Sequence, residues 1–128
     1  MSNATSSIQA RIAQANGWDT VHRVGGLYGR VVLSPVVHDL MDDDFNMHWL
    51  VSDLLISLRM VAKLRRAELL VVKWNANLGR IQVRDYNTDA VLYSQKYEAH
   101  NANEDFDLIV CPWHGDPSYR LVYAIGED

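Results

Sequence analysis

The chain has 128 residues, 48% of them hydrophobic, with 12 basic and 16 acidic side chains and a formal net charge of −4. That is enough apolar material for a single domain over residues 1–128 with a real core, and the acidic balance opposes nonspecific nucleic-acid binding. The one cysteine, Cys111, excludes a disulfide within these residues and a cysteine metal cluster.

Met1 to Ser7 is small and polar, and disorder is expected there. No basic segment followed by an apolar one opens the sequence, so a cytoplasmic protein is expected. Ile8 to Ala15 has the length for two helical turns, with Ser6 or Ser7 as cap and Gly17 as stop. Trp18 to Val24 and Tyr28 to Leu33 read as strands on either side of Gly25-Gly26, which makes a hairpin. Ser34-Pro35 is a helix start, a cap followed by a first-turn proline, and opens a short helix over Val36 to Met41.

Phe45 to Leu64 is the longest periodic segment. Met47, Leu50, Val51, Leu54, Leu58 and Val61 recur at steps of three and four, which predicts one long core helix. Asp42, Asp43 and Asp44 suit its N-terminus, and Arg59, Lys63, Arg65 and Arg66 suit its C-terminus. His48, Asp53, Arg59 and Lys63 interrupt the apolar run, so it does not read as a membrane span.

Strand-like segments follow at Glu68 to Trp74, Arg80 to Tyr86, Val91 to Tyr97, Phe106 to Pro112 and Tyr119 to Ile125, separated by polar turns. Short turns favour an antiparallel meander. The expected fold is therefore α+β: a meander sheet of four to five strands packed on one long helix, with an N-terminal helix and hairpin as an extension.

With this pattern, the chain resembles a family of small uncharacterised bacterial and phage proteins catalogued as a domain of unknown function. The resemblance runs from Trp18 to Ile125. It rests on Trp18 to Arg23, on Tyr28 to Leu33 leading into a short helix, on His48-Trp49-Leu50-Val51 with Asp53, on Val71 to Trp74 and on Val91 to Lys96. It implies an order of elements and a prokaryotic or phage origin. It implies no activity.

No catalytic signature stands out. His38-Asp39 with Asp42 to Asp44 is the densest polar cluster, but its spacing fits no calcium loop, and no essential metal or cofactor is expected. Cys111 and His114 are near in sequence, yet a cysteine after Leu108-Ile109-Val110 reads as a small, buried core residue. Asp53 lies within an apolar helix and needs a partner, a backbone group or an arginine, if it is buried.

The charges are unevenly distributed. Residues 59–84 hold 7 basic and 1 acidic side chains, net +6, whereas residues 85–128 hold 2 basic and 9 acidic, net −7. Arg59, Lys63, Arg65, Arg66, Lys73, Arg80 and Arg84 suggest a basic patch. Within it, Arg80, Gln82, Arg84 and Tyr86 alternate away from Ile81 and Val83 and form the candidate partner-binding ridge, arginine and tyrosine being enriched at interfaces.

These residues favour a non-enzymatic protein-interaction module over an enzyme. The resemblance extends this to a phage or mobile-element protein that inhibits or tunes a host defence protein, such as a CRISPR-Cas component, in the manner of an anti-CRISPR protein. A second copy of the chain, in a homodimer, is the other protein partner expected. Neither a nucleic acid nor a membrane is an expected partner. The alternative is a small-molecule-binding or hydrolytic enzyme with a pocket between helix and sheet.

Overall fold

The computed structural model describes residues 8, 11–12, 21–41, 47–97 and 104–126. Seven strands form one sheet: β1 (His22–Val24), β2 (Val31–Leu33), β3 (Leu70–Asn75), β4 (Arg80–Asp85), β5 (Val91–Lys96), β6 (Phe106–Trp113) and β7 (Asp116–Ala124). Three helices lie between β2 and β3 in the chain: α1 (Pro35–Leu40), α2 (His48–Met60) and α3 (Ala62–Arg66).

The strand order is β1-β2-β7-β6-β3-β4-β5. β2 and β7 run parallel, and every other neighbouring pair is antiparallel. The sheet is therefore mixed, not the expected antiparallel meander of four or five strands. The parallel β2–β7 pair makes it mixed, and a second difference lies in one connection. β3, β4 and β5 are hairpin-linked, but the chain then returns to set β6 beside β3. The spatial order β6-β3-β4-β5 is that of a Greek key. The N-terminal hairpin is not an extension either. Val31, Val32 and Leu33 pair with Arg120, Leu121 and Val122, so β2 continues the sheet.

The expected long helix is also corrected. Met47, Leu50, Val51, Leu54 and Leu58 are buried as the spacing predicts. The helix stops at Met60, because Val61 is extended (φ −81°, ψ 118°), and a short second helix follows. In an unbroken helix the Leu58 carbonyl would accept from the N–H of Ala62. Here it accepts instead from Arg120, 3.1 Å away. The break also turns Leu64 fully into the core. The proposed aspartate cap, Asp42 to Asp44, lies outside the described residues, as do Met1 to Ser7.

Ser34-Pro35 does start a helix. The Ser34 hydroxyl accepts from the Val37 N–H at 3.3 Å, and Pro35 opens the first turn. The helices cover one face of the sheet. Leu33, Leu70, Val72, Trp74, Ile81, Val83, Leu108, Val110 and Val122 point from it into a core shared with Leu50, Leu54 and Leu58. Residues of opposite parity point to the other face.

Candidate functional site

The predicted ridge falls on the face away from the helices. Val72↔Val83 and Trp74↔Ile81 point into the core, so Lys73↔Gln82 and Asn75↔Arg80 point outward. Arg80, Gln82 and Arg84 line a depression of about 220 Å³ with Lys73, Asn75 and Leu78. Tyr86 does not belong to the strand. β4 ends at Asp85, and Tyr86 starts the following turn, exposed.

The charges of this face are partly neutralised. Lys73 pairs with Asp107 at 3.3 Å, and Arg84 with Asp89 at 3.1 Å. Arg84 also donates to the Gln82 amide oxygen at 2.9 Å. Arg80 donates to the Ser94 hydroxyl, 2.8 Å away. The arrangement is a polar lattice: each cation is held in place by an acceptor on the same face.

The other members of the expected basic patch are elsewhere. Arg59 and Arg65 line a cavity of about 290 Å³ on the helix side, together with Arg30 and Arg120. Tyr28, Val31 and Leu58 supply apolar walls. Arg120, on β7, donates to the carbonyls of Leu58, Leu64 and Ala67, and so joins the ends of α2 and α3 to the sheet. Its burial lowers the guanidinium's proton affinity from the ordinary value. Arg59 donates to the Gly26 and Leu27 carbonyls at 3.1 and 2.9 Å. Arg30 donates to the Ser118 hydroxyl at 3.1 Å.

Gly29 makes room for this arrangement. Its φ is +76° and ψ −144°, a conformation that side chains rarely adopt. A Cβ there would lie 3.2 Å from Cδ of Arg59. Tyr28 is tied to α2 through Ser52, hydroxyl to hydroxyl at 2.8 Å.

Two further polar contacts join α2 to the sheet or its margins. The Tyr97 hydroxyl donates to Asp53, so the aspartate's partner is a tyrosine, not the expected arginine or backbone group. Burial first, and the Asp53 carboxyl second, push the Tyr97 hydroxyl well above its ordinary range. Trp49 and Trp74 pack around the Tyr97 ring, with centroids 5.1 and 6.2 Å away. Ser57 donates to the Tyr93 hydroxyl at 3.3 Å.

The remaining candidates are scattered. Cys111 is half-buried on β6, less enclosed than expected, and burial raises its thiol. His114 sits exposed in the β6–β7 turn. His38 stacks on His22 at 3.8 Å between ring centroids, and Asp39 pairs with Arg11 at 2.7 Å. Neither cavity described above is lined by Asp53 or by a histidine. Among the described residues no helix is long and apolar enough to cross a membrane.

No family model, no curated protein and no solved structure matches this chain. Sequence reading missed Arg30, Arg120 and Gly29. Arg59 and Arg65 stood in the basic block, but nothing in their spacing separates them from Arg80 and Arg84.

Proposed function

We propose that this chain is a non-enzymatic binding module that docks on an acidic protein surface through the β3–β4–β5 face. One observation carries the reading: Lys73, Arg80 and Arg84 stand together with Gln82 around one depression on the face that the helices leave uncovered. Lys96, opposite Arg80 on β5, adds a further exposed cation. Among the described residues, Asp107 and Asp89 pair with the group. The excess is positive on a chain that is acidic overall, and such local complementarity steers an acidic partner and sets its register. Inhibition of a host defence protein is the specific form of this reading that the resemblance suggests.

The test is anisotropy of a labelled polyglutamate peptide, with and without salt. The double change Arg80→Glu with Arg84→Glu should weaken binding by at least about tenfold while shifting the melting temperature little. Equal binding by both proteins refutes the docking face. Light scattering on the same pair tests self-association: a dimer that the double change dissociates makes the partner a second copy.

A further inference from the structure

We infer that the cavity between β2, β7 and the α2–α3 break is a binding site for a phosphate monoester of a small molecule. It lies on the helix side, around residues that the proposed docking face does not use, so it stands or falls separately.

Four arginines line it, Arg30, Arg59, Arg65 and Arg120, and among the described residues no aspartate or glutamate does. The Arg30 guanidinium itself turns to the Tyr119 ring and Ser118, outside the lining, so the charge inside comes from Arg59, Arg65 and Arg120. What holds these cations in place is uncharged. Arg120 and Arg59 donate to backbone carbonyls, and Arg30 to a serine hydroxyl. Neutral acceptors orient a guanidinium without cancelling its charge. The contrast is with Arg84, which meets a carboxylate at 3.1 Å. Asp116 is the carboxylate that feels Arg30: two hydrogen bonds from Ser118, then Arg30 and Arg23, hold it below its ordinary range. It stands behind Ser118, outside the lining. The Arg65 side chain makes no hydrogen bond or ion pair among the described residues and is exposed, while its backbone N–H donates to the Val61 carbonyl at 2.9 Å.

The roles within the cavity differ. Arg120 is committed to three carbonyls and positions the floor. Arg59 and Arg65 keep donors for an anion, since a guanidinium carries five N–H groups in a rigid fork that matches phosphate oxygens. The fork of Arg59 is set by Gly29, whose missing Cβ leaves the arginine stem its path. A bare ion would not fill the space. At about 290 Å³ the cavity falls just under the size of small-molecule sites, which run from about 300 to 1,000 Å³. Tyr28, Val31 and Leu58 offer apolar surface beside the charges, so a compact organic body esterified to the phosphate fits both halves.

The experiment is titration calorimetry with phenyl phosphate, orthophosphate and phenol as probes, on the full chain. Phenyl phosphate should bind saturably, at least several-fold more tightly than orthophosphate, and phenol should not bind. Arg65→Glu should weaken phenyl phosphate by at least about tenfold. Arg65 supports no other group, so this variant keeps its fold, and an unchanged melting curve verifies that. Arg59→Glu should act in the same direction. The pair Arg80→Glu with Arg84→Glu should leave phenyl phosphate binding as it was. Absence of saturable binding, binding of phenol as tight as that of its phosphate, orthophosphate bound as tightly as the ester, or unaltered affinity in Arg65→Glu would each overturn the inference.

Discussion

The two faces of the sheet treat polar side chains in opposite ways. On the helix side, Arg120 reaches three carbonyls, Tyr97 reaches Asp53 and Ser57 reaches Tyr93. Each of these contacts joins a helix to a strand or its margin. On the other side, Lys73 meets Asp107 and Arg84 meets Asp89, strand to strand or strand to turn. Water can replace a half-exposed pair at small cost, whereas a group between two layers has no such substitute. Polar chemistry on the covered face therefore maintains the architecture, and on the uncovered face it is free for recognition. The arginine cavity lies where the two regimes meet: Arg120 on β7 is structural, and Arg65 on α3, in the same lining, is not.

Arg120→Ala should show the largest effect. It leaves the Leu58, Leu64 and Ala67 carbonyls without their donor at a half-buried site. The expected loss is about 2–4 kcal/mol in urea denaturation. Arg120→Lys should recover less than half of it, since an ammonium cannot span three carbonyls in one plane. A loss below about 1 kcal/mol would place Arg120 with the surface pairs and erase the distinction between the faces.

Tyr97→Phe comes next, at about 1–2 kcal/mol near neutral pH, because it removes the donor to Asp53 and keeps the ring between Trp49 and Trp74. The same residue makes a pH prediction. Its hydroxyl is raised in the folded state, so the fold holds that proton more tightly than the unfolded chain does. The contribution is complete below the ordinary tyrosine value of about 10 and is lost as pH rises beyond it. Between roughly pH 9 and 12 the native protein should lose stability more steeply than Tyr97→Phe, the difference between the two curves shrinking throughout. Parallel curves would show that the Tyr97 proton is not linked to folding.

Much of this was legible where the controlling interactions are local. The alternation over Arg80 to Asp85 identifies β4 and separates Ile81 and Val83 from Arg80, Gln82 and Arg84. Ser34-Pro35 marks the start of α1. Strand order was not legible, because β3 chooses β6 as second neighbour through Leu70↔Val110 and Val72↔Leu108, and any alternating strand offers a similar apolar edge. The break at Val61 was hidden for a related reason. The stripe of Leu50, Leu54, Leu58 and Val61 is continuous, and only Arg120, from the far end of the chain, makes an unpaired Leu58 carbonyl tolerable. The cavity needed both: Arg30, Arg59, Arg65 and Arg120 come from four different segments. Gly29, next to Tyr28, was the one local trace of it, and a lone glycine after a Gly-Gly turn does not distinguish a close approach from a second turn residue.

The smallest expected effect belongs to Arg84, and it separates stability from recognition most sharply. Its partner, the Asp89 side chain, is 76% exposed, so the pair is well solvated. Arg84→Ala should cost no more than about 1 kcal/mol. Asp89 has φ +61°, a left-handed conformation that glycine adopts without strain. Asp89→Gly therefore removes the carboxylate while relieving the backbone, and its net effect on stability should lie within about 1 kcal/mol of zero. Its effect on binding should be larger than either. With the neutralising carboxylate gone, Arg84 presents its full charge beside Arg80 and Lys73, and affinity for the polyglutamate peptide should rise by about two- to fivefold at low salt, fading as salt screens the gain. If instead the peptide binds Asp89→Gly no better than the native chain, Arg84 takes no part in docking, and its pairing with Asp89 and Gln82 is simply how a half-exposed arginine is satisfied on a sheet surface.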